Sequence, residues 1–117
     1  SLKIILPVMN AVLPSGGDAV VLVKPQFEAG RDRVGKNGVV RSPEDHLAVL
    51  KDILSFCLGE TELCPDAVDF SPVTGPKGNI EYLLHLVKKA GPCPAVSPAE
   101  TVEKAHEFFK GRKREET

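Results

Sequence analysis

Two charged residues mark one edge of a predicted sheet. Lys24 follows the apolar run Val20–Val23, and Glu81 lies at the start of a second strand. A lysine at the carboxyl end of a buried strand lies where open α/β sheets place their ligands, and desolvation favours its neutral, nucleophilic or basic form. If the strands are neighbours, Lys24 and Glu81 face one crevice, where a carboxylate can orient a catalytic amine. Alternatively, Lys24 extends its ammonium into water, or the two form a weak surface ion pair.

A long polar segment follows Lys24. It runs from Pro25 to Arg41 with almost no hydrophobic pattern, whereas compact domains usually join their elements in about 4 to 6 residues. The segment is therefore either an unstructured loop or a binding site. Its charged residues are candidates to bind substrate or RNA phosphates, and they are Glu28, Arg31, Arg33, Lys36 and Arg41. A merely solvated loop would have a similar composition.

Other polar residues give weaker signals. Asn79 lies two residues before Glu81 and is a further candidate for ligand contact, although Gly-Asn is also ordinary turn chemistry. His46 and His106 fall in predicted helices and His85 in a predicted strand. Because no spacing pairs them with a nucleophile or a metal ligand, we interpret them as packed or surface histidines rather than acid–base groups.

The hydrophobic pattern predicts the elements that position these residues. Apolar residues at spacings of three and four predict a helix over residues 2–13, and a continuous apolar run predicts a strand at 19–23, buried on both faces as in a parallel sheet. A third element is a helix that starts at the N-cap Ser42 and stops at Gly59. Its predicted buried stripe comprises Leu47, Leu50, Leu54, Cys57 and Leu58.

The second half of the chain predicts a hairpin and a final helix. Strands are expected at 66–73 and 80–89, the second with Ile80, Tyr82, Leu84 and Leu86 on one face. The turn between them, TGPKGN, is too short for a helical crossover, so these strands must be antiparallel. A helix follows over 97–109, and residues 111–117 are expected to form a frayed charged tail. The order of elements predicts an α/β fold with a mixed sheet flanked by helices.

The amino-acid composition limits the classes of protein to which this chain can belong. The 117 residues, with 42% hydrophobic and 26% charged content, are typical of a single soluble globular domain. A net charge of -1 neither demands nor excludes a nucleic-acid partner. Three cysteines without CxxC spacing predict reduced thiols in a cytoplasmic protein rather than zinc ligands or a full disulfide framework. No apolar run approaches the roughly 20 residues of a membrane span, so no membrane partner is expected.

Two stretches carry a family resemblance. LVKPQFEAGRDRVGKNGVVRSPEDH and FSPVTGPKGNIEYLL closely resemble the haemolysin-A-like (TlyA) ribosomal RNA 2′-O-methyltransferases. These belong to the FtsJ-like branch of enzymes that use S-adenosylmethionine (AdoMet). The resemblance implies a partial Rossmann-like methyltransferase sheet. The full family sheet has the order 3-2-1-4-5-7-6, and this chain would supply the contiguous strands 5-7-6.

The resemblance also implies catalytic roles. FtsJ-like enzymes use a Lys-Asp-Lys-Glu tetrad, in which Lys24 matches the second lysine and Glu81 matches the glutamate. In such a mechanism Lys24 would help to deprotonate or orient a ribose 2′-OH of ribosomal RNA. That oxygen would attack the AdoMet methyl group in line, while Glu81 holds the lysine and the hydroxyl.

Several parts of the family pattern have no counterpart here. The S4-type RNA-binding region, the glycine-rich AdoMet loop, and the tetrad's first lysine and aspartate would all precede Ser1. Residues 1–117 therefore resemble the C-terminal half of the catalytic domain, and we expect them to be inactive alone and to bind AdoMet weakly or not at all. The alternative is a non-catalytic RNA- or protein-binding module. The haemolysin name suggests cytolysis, but no amphipathic membrane helix supports it.

The resemblance has a consequence for association. In a half sheet, the strand at 19–23 would have no neighbour on one side and would expose an apolar edge. Exposed strand edges pair with other chains. We therefore expect self-association through this edge.

Overall fold

The computed structural model describes residues 1–115 of the protein, except for the side chains of Lys36 and residues 113–115. Its helices and strands are, in chain order, α1 (Leu2–Val12), β1 (Asp18–Val23), α2 (Pro25–Glu28), α3 (Pro43–Glu60), β2 (Leu63–Phe70), β3 (Tyr82–Lys88) and α4 (Pro98–Glu115). Short 3-10 turns lie at Arg31–Arg33, Lys36–Gly38 and Pro76–Gly78. The predicted α/β class, with helices flanking a sheet, is confirmed.

The sheet has three strands in the order β1-β3-β2. β3 is antiparallel to both neighbours, with Tyr82 opposite Val23 on one side and Phe70 on the other. The prediction of a mixed sheet is therefore wrong for the described strands. β1 and β2 do run in the same direction, but the antiparallel β3 separates them, so no parallel pair forms. The predicted adjacency of the strands that carry Lys24 and Glu81 is confirmed.

Several element boundaries differ from the predictions. α3 starts as predicted, since the Ser42 hydroxyl accepts a hydrogen bond from the Asp45 N–H at 3.4 Å. It continues past Gly59 to Glu60, and the Thr61 N–H closes it on the Cys57 carbonyl. Leu58, predicted to be buried, is 59% exposed. β2 begins earlier than predicted because residues 63 and 64 also pair with β3.

The described part of the predicted charged tail, residues 111–115, is helical. α4 continues through Glu115. Lysine, arginine and glutamate are good helix formers, so a charged run extends a helix that packing has already nucleated. Residues 116–117 lie outside the described residues.

The core lies between one face of the sheet and the helices. β3 contributes Tyr82, Leu84 and Leu86, all fully buried, and α3 contributes Leu50 and Ile53. Burying a large apolar side chain stabilises a protein by roughly 1.5 to 3 kcal/mol. The central strand therefore anchors the fold, and the alternation predicted for β3 is confirmed.

The other face of the sheet is more polar and more open. Val20 on β1 is 64% exposed. Beside it, His85 lies 2.8 Å from Asp18 and 3.1 Å from Asp66, measured between ring nitrogen and carboxylate oxygen. The strand register of β2 shifts between Pro65 and Ala67, at Asp66. The hydrogen bond to Asp18, opposed by desolvation and aided by Asp66, raises the pKa of His85.

Two of the three cysteines are joined. Cys64 on β2 and Cys93, which follows β3, form a disulfide with Cα atoms 5.6 Å apart. The prediction of reduced thiols is wrong for this pair, because the β2–β3 pairing brings together residues separated by 29 positions. Cys57 carries a free thiol, and burial raises its pKa to about 11.

A buried histidine links the core to the loop that precedes α3. His46, only 1% exposed, places Nε2 2.8 Å from the Val40 carbonyl and Nδ1 2.8 Å from the Tyr82 hydroxyl. The Nε2 atom of His106 on α4 lies 3.0 Å from the same Nδ1. Desolvation lowers the pKa of both histidines and raises that of Tyr82. Both imidazoles are therefore held preferentially in the neutral form.

This cluster predicts acid sensitivity. The pKa of His46 and His106 is depressed in the folded state. The unfolded chain therefore binds more protons as pH falls through about 6.5, the ordinary histidine pKa, and the free energy of unfolding decreases. His85 acts in the opposite direction, since its raised pKa adds stability at low pH. In a His85→Asn protein, urea unfolding should show lower stability at pH 5.5 than at pH 7.5.

The His85→Asn,His106→Gln double variant is the control, and its pH dependence should be smaller because one depressed histidine is removed. A free energy of unfolding that stays constant or rises on acidification in the His85→Asn protein would contradict the expectation.

Candidate functional site

Lys24 and Glu81 lie at the same end of two paired strands. Val23 is opposite Tyr82 in the antiparallel register, so Lys24 follows β1 where Glu81 precedes β3. Lys24 is half-buried, and its Nζ atom lies 5.8 Å from the centroid of the Phe27 ring, a distance typical of a cation–π contact. Among the described residues, no ion pair within 4.0 Å joins Lys24 to Glu81. The structure thus brings them to one sheet edge but leaves them unpaired.

Gln26 holds the Glu81 carboxylate in place. Glu81 is only 6% exposed, and its Oε2 atom accepts a hydrogen bond of 3.1 Å from the Gln26 side-chain amide. Gln26 Oε1 is also buried, and no donor among the described residues reaches it. A buried carboxylate needs hydrogen-bond partners, so Gln26 is a candidate positioning residue that sequence reasoning missed. Its place in the KPQFE motif, two residues after Lys24, was the available signal.

Gly75 shapes the other side of the Glu81 carboxylate. A Cβ atom added at Gly75 would lie 2.6 Å from Glu81 Cδ, which is closer than real contacts allow. The Gly75 N–H donates to the Asn79 carbonyl at 2.8 Å and so closes the turn. Sequence reasoning identified this segment only as a hairpin turn. The structure shows that a glycine is needed there because a catalytic candidate packs against the backbone.

Asn79 joins the turn to the long loop. Its Oδ1 atom accepts from the Val40 N–H at 3.1 Å, and its Nδ2 atom donates to the carbonyls of Gly38 and Pro76 at 3.0 and 3.3 Å. The side chain is 3% exposed. These bonds engage both ends of the amide, so Asn79 acts as a brace between two loops, and the arrangement gives no support to the predicted ligand contact.

The predicted ligand residues of the loop lie in different places. Glu28 accepts hydrogen bonds from the Leu2 N–H at 3.0 Å and the Ser1 hydroxyl at 3.2 Å, so it caps the start of α1. Arg33 Nε lies 3.7 Å from Asp45 on α3. Arg31 and Arg41 are exposed, and the Lys36 side chain lies outside the described part of the chain.

The segment from Pro25 to Arg41 is therefore not an unstructured loop. It folds into α2 and two 3-10 turns, and Asn79 braces its end. Gly38 has φ +73 beside Asn37 at φ +68, a left-handed pair that reverses the chain there. Among the described side chains, no hydrogen bond or ion pair joins a basic residue of the loop to Glu81.

One of those basic residues, Arg41, lines a cleft formed in part by the braced loops. The cleft has a volume of about 500 Å³. Its cationic side chains are Arg41, Lys77 and Arg112, and no carboxylate lines it among the described residues. The lining also includes an apolar wall, formed by Val39, Val73, Ile80 and Phe109, and two histidines, His46 and His106. Sequence reasoning did not identify this cleft, because its walls come from four separated segments.

Comparison with proteins of known sequence adds independent information. No model of a known protein family matches the chain. The chain is 46% identical over 118 aligned positions to the protein named "Putative rRNA methyltransferase YqxC" of Bacillus subtilis, covering 97% of this chain and 42% of that protein. It is 39% identical over 88 positions to "16S/23S rRNA (cytidine-2′-O)-methyltransferase TlyA" of Mycobacterium tuberculosis, covering 74% and 32% of the two chains. It thus spans less than half the length of these relatives.

Solved structures give the same relationship. A "putative hemolysin" of Streptococcus thermophilus superposes with a TM-score of 0.91 at 43% identity, covering 97% of this chain and 42% of that one. A second, from Lactococcus lactis, superposes with a TM-score of 0.83 at 36% identity, covering 91% and 51%. With sequence and fold both matched over nearly its whole length, the chain belongs to the TlyA-like family, whose members are named as rRNA methyltransferases and as hemolysins.

Proposed function

We propose that this chain is the C-terminal half of the catalytic domain of an AdoMet-dependent rRNA (cytidine-2′-O)-methyltransferase, and that it supplies the half of the active site that acts on the ribose hydroxyl. The observation that carries the proposal is the pair Lys24 and Glu81 at one sheet edge, with Glu81 held between Gln26 and Gly75. The proposed substrate is ribosomal RNA, which the name of the TlyA relative gives as the molecule that it methylates. The proposed compartment is the cytoplasm.

The strand order supports the assignment to half of a larger sheet. We assign β1, β3 and β2 to strands 5, 7 and 6 of a Rossmann-like methyltransferase sheet, because the observed order β1-β3-β2 matches that sequence of strands. In this assignment the free side of β1 pairs with a strand of the preceding half. Both relatives are more than twice as long as the part matched here, which leaves ample chain for that half.

Exposed apolar side chains on the helices that precede and follow β1 also support this assignment. The outer face of α1 presents Ile4, Ile5, Val8 and Val12, which are 74%, 51%, 61% and 75% exposed. Phe27 on α2 is 71% exposed. Large contiguous apolar surfaces are rare on independent domains and mark contact surfaces. We infer that the other half of the catalytic domain covers this surface.

We assign no AdoMet pocket to the residues that the structure describes. AdoMet carries a positive sulfonium and an ammonium group, and carboxylates suit such cations and the ribose hydroxyls. The cleft beside the braced loops instead carries Arg41, Lys77 and Arg112, without a carboxylate among the described residues. We therefore assign AdoMet binding to the remainder of the enzyme and expect the isolated chain to lack methyl-transfer activity.

The chemistry of this chain concerns the acceptor hydroxyl. A ribose 2′-OH placed at the Lys24 amine would be oriented by it, and its proton would pass to the nitrogen when the amine is neutral. Glu81, fixed by Gln26, would hold the lysine amine and the ribose hydroxyl in the relative positions that the reaction needs.

Other functions have less support. A non-catalytic binding module would keep the braced loops but would not require a buried carboxylate at the sheet edge. A cytolytic activity would require contact with a membrane, and no helix among the described residues is long and apolar enough to cross one. The methyltransferase proposal explains both the site and the exposed apolar surface.

The function is tested in a protein extended upstream of residue 1 by the length that the relatives have. Lys24→Ala and Glu81→Gln should each reduce transfer of labelled methyl groups to rRNA by about 100-fold or more, the scale of general acid–base catalysis. AdoMet binding, measured by calorimetry, should change little. Lys89→Ala, an exposed lysine beyond the far end of β3, serves as the matched control. Near-normal turnover of the Lys24 or Glu81 variant would refute the assigned roles.

Gly75 gives a second test of the same site. Gly75→Ala in the extended protein should reduce methyl transfer, because the added Cβ displaces the Glu81 carboxylate. The control is Gly59→Ala, where an added Cβ meets no atom within 4 Å and the helix gains stability. Equal activity of the two glycine variants would contradict the proposed contact.

The exposed surface predicts self-association of the isolated chain. Light scattering at high concentration should give species larger than a monomer, because β1 has a free edge and α1 an apolar outer face. Val8→Glu should shift the population toward monomer. Leu58→Glu, at a residue of similar exposure on α3, should not. A clean monomer for the unmodified chain would argue against an uncovered docking surface.

A further inference from the structure

The cleft beside the candidate active site has a distinctive charge. Arg41, Lys77 and Arg112 line it, and no carboxylate does so among the described residues, although the whole chain has a net charge of -1. Arg112 donates to the Pro72 carbonyl at 3.1 Å, which fixes it at the rim. None of the three cations takes part in an ion pair among the described residues. The cleft therefore offers positive charge to an outside partner.

The shape and the walls of the cleft suit a nucleotide. Its volume of about 500 Å³ falls within the range of about 300 to 1,000 Å³ that is usual for ligand sites. The apolar wall includes Ile80 and Val39, which are 9% and 5% exposed, together with the half-buried ring of Phe109. Single-stranded RNA binds where cations meet phosphates and apolar or aromatic side chains contact bases. The cleft combines both features.

The position of the cleft connects it to the methylation site. Lys77 and Gly78 line it from the same short turn whose Gly75 contacts the Glu81 carboxylate. Across the cleft, the Val39–Arg41 segment is held to this turn by the hydrogen bond from the Val40 N–H to Asn79. Lys77 itself has φ +62, a conformation rarely adopted outside glycine and asparagine. One rigid turn thus forms a wall of both sites.

We propose that this cleft binds the phosphodiester and base of a nucleotide that flanks the methylated one. The inference rests on the proposed function, because only a ribose at Lys24 and Glu81 gives the neighbouring cleft an RNA strand to receive. Arg41 and Lys77 contact the phosphate, and the apolar wall contacts the base. The cleft thereby sets which way the RNA strand runs across the enzyme.

The test uses this chain and a fluorescently labelled single-stranded RNA of ten nucleotides. Anisotropy titrations should give binding that weakens with salt. Arg41→Gln and Lys77→Asn should each weaken it several-fold and reduce the slope of log affinity against log salt by about 0.7, the value for one phosphate contact on a single strand. Asparagine is chosen at residue 77 because it tolerates the left-handed conformation. Lys89→Gln and Lys51→Gln remove the same charge elsewhere and should leave the affinity unchanged.

The outcomes separate the alternatives. Equal losses in the cleft and control variants would mean diffuse electrostatic attraction and would overturn the proposal. Competition by inorganic polyphosphate that matches unlabelled RNA at equal phosphate concentration would show a general anion site and would also overturn it. Circular dichroism of each variant confirms folding.

Failure of the proposed function gives a different result. Lys24→Ala and Glu81→Gln should bind this RNA like the unmodified chain, since neither residue lines the cleft. If the extended protein transfers no methyl groups but Lys77→Asn still weakens RNA binding, the cleft is an RNA site and the enzymatic proposal fails. If Lys24→Ala abolishes methyl transfer while the cleft variants bind normally, the cleft inference alone fails.

Discussion

The antiparallel pairing of β3 with β1 is the contact on which the remaining structure depends. β3 buries Tyr82, Leu84 and Leu86 in the core, and pairs with β1 on one side and β2 on the other. Because the register sets Val23 opposite Tyr82, the residue that leaves β1 and the residue that enters β3 meet at one edge. A slip of one residue would turn the buried side chains of β3 to the other face, so core packing fixes the geometry of the site.

The loops at this edge form one connected unit. Asn79 joins the Gly75–Asn79 turn to the end of the long segment that follows Lys24. His46 continues this connection from the Val40 carbonyl to Tyr82 in the core, and His106 adds a contact from α4. Buried polar networks of this kind are stable only when their members are hydrogen-bonded. The network explains how a segment with little hydrophobic pattern can present a defined surface.

The outer surface of the chain has two contrasting parts. On the helices that precede and follow β1, apolar side chains of α1 and α2 are exposed, which fits a surface that another half of a domain covers. The cleft lined by the braced loops is cationic and partly apolar. The contact of Glu81 with Gly75 connects it to the turn that lines the cleft. The chain therefore presents an apolar surface and a cationic cleft on different sets of elements.

The sequence alone determined the α/β class, the start of α3, the burial pattern of β3, the neighbouring positions of Lys24 and Glu81, and the family. These features depend on local periodicity, on cap residues and on a contiguous motif, all of which can be read along the chain. Only the tertiary structure decided that Gln26 rather than Lys24 bonds Glu81, that Gly75 must lack a side chain, and that Asn79 is a brace. It also decided the all-antiparallel sheet, the Cys64–Cys93 bond and the cationic cleft. These features join residues that are distant in sequence, and their contacts depend on the packing of whole elements, which no local pattern specifies.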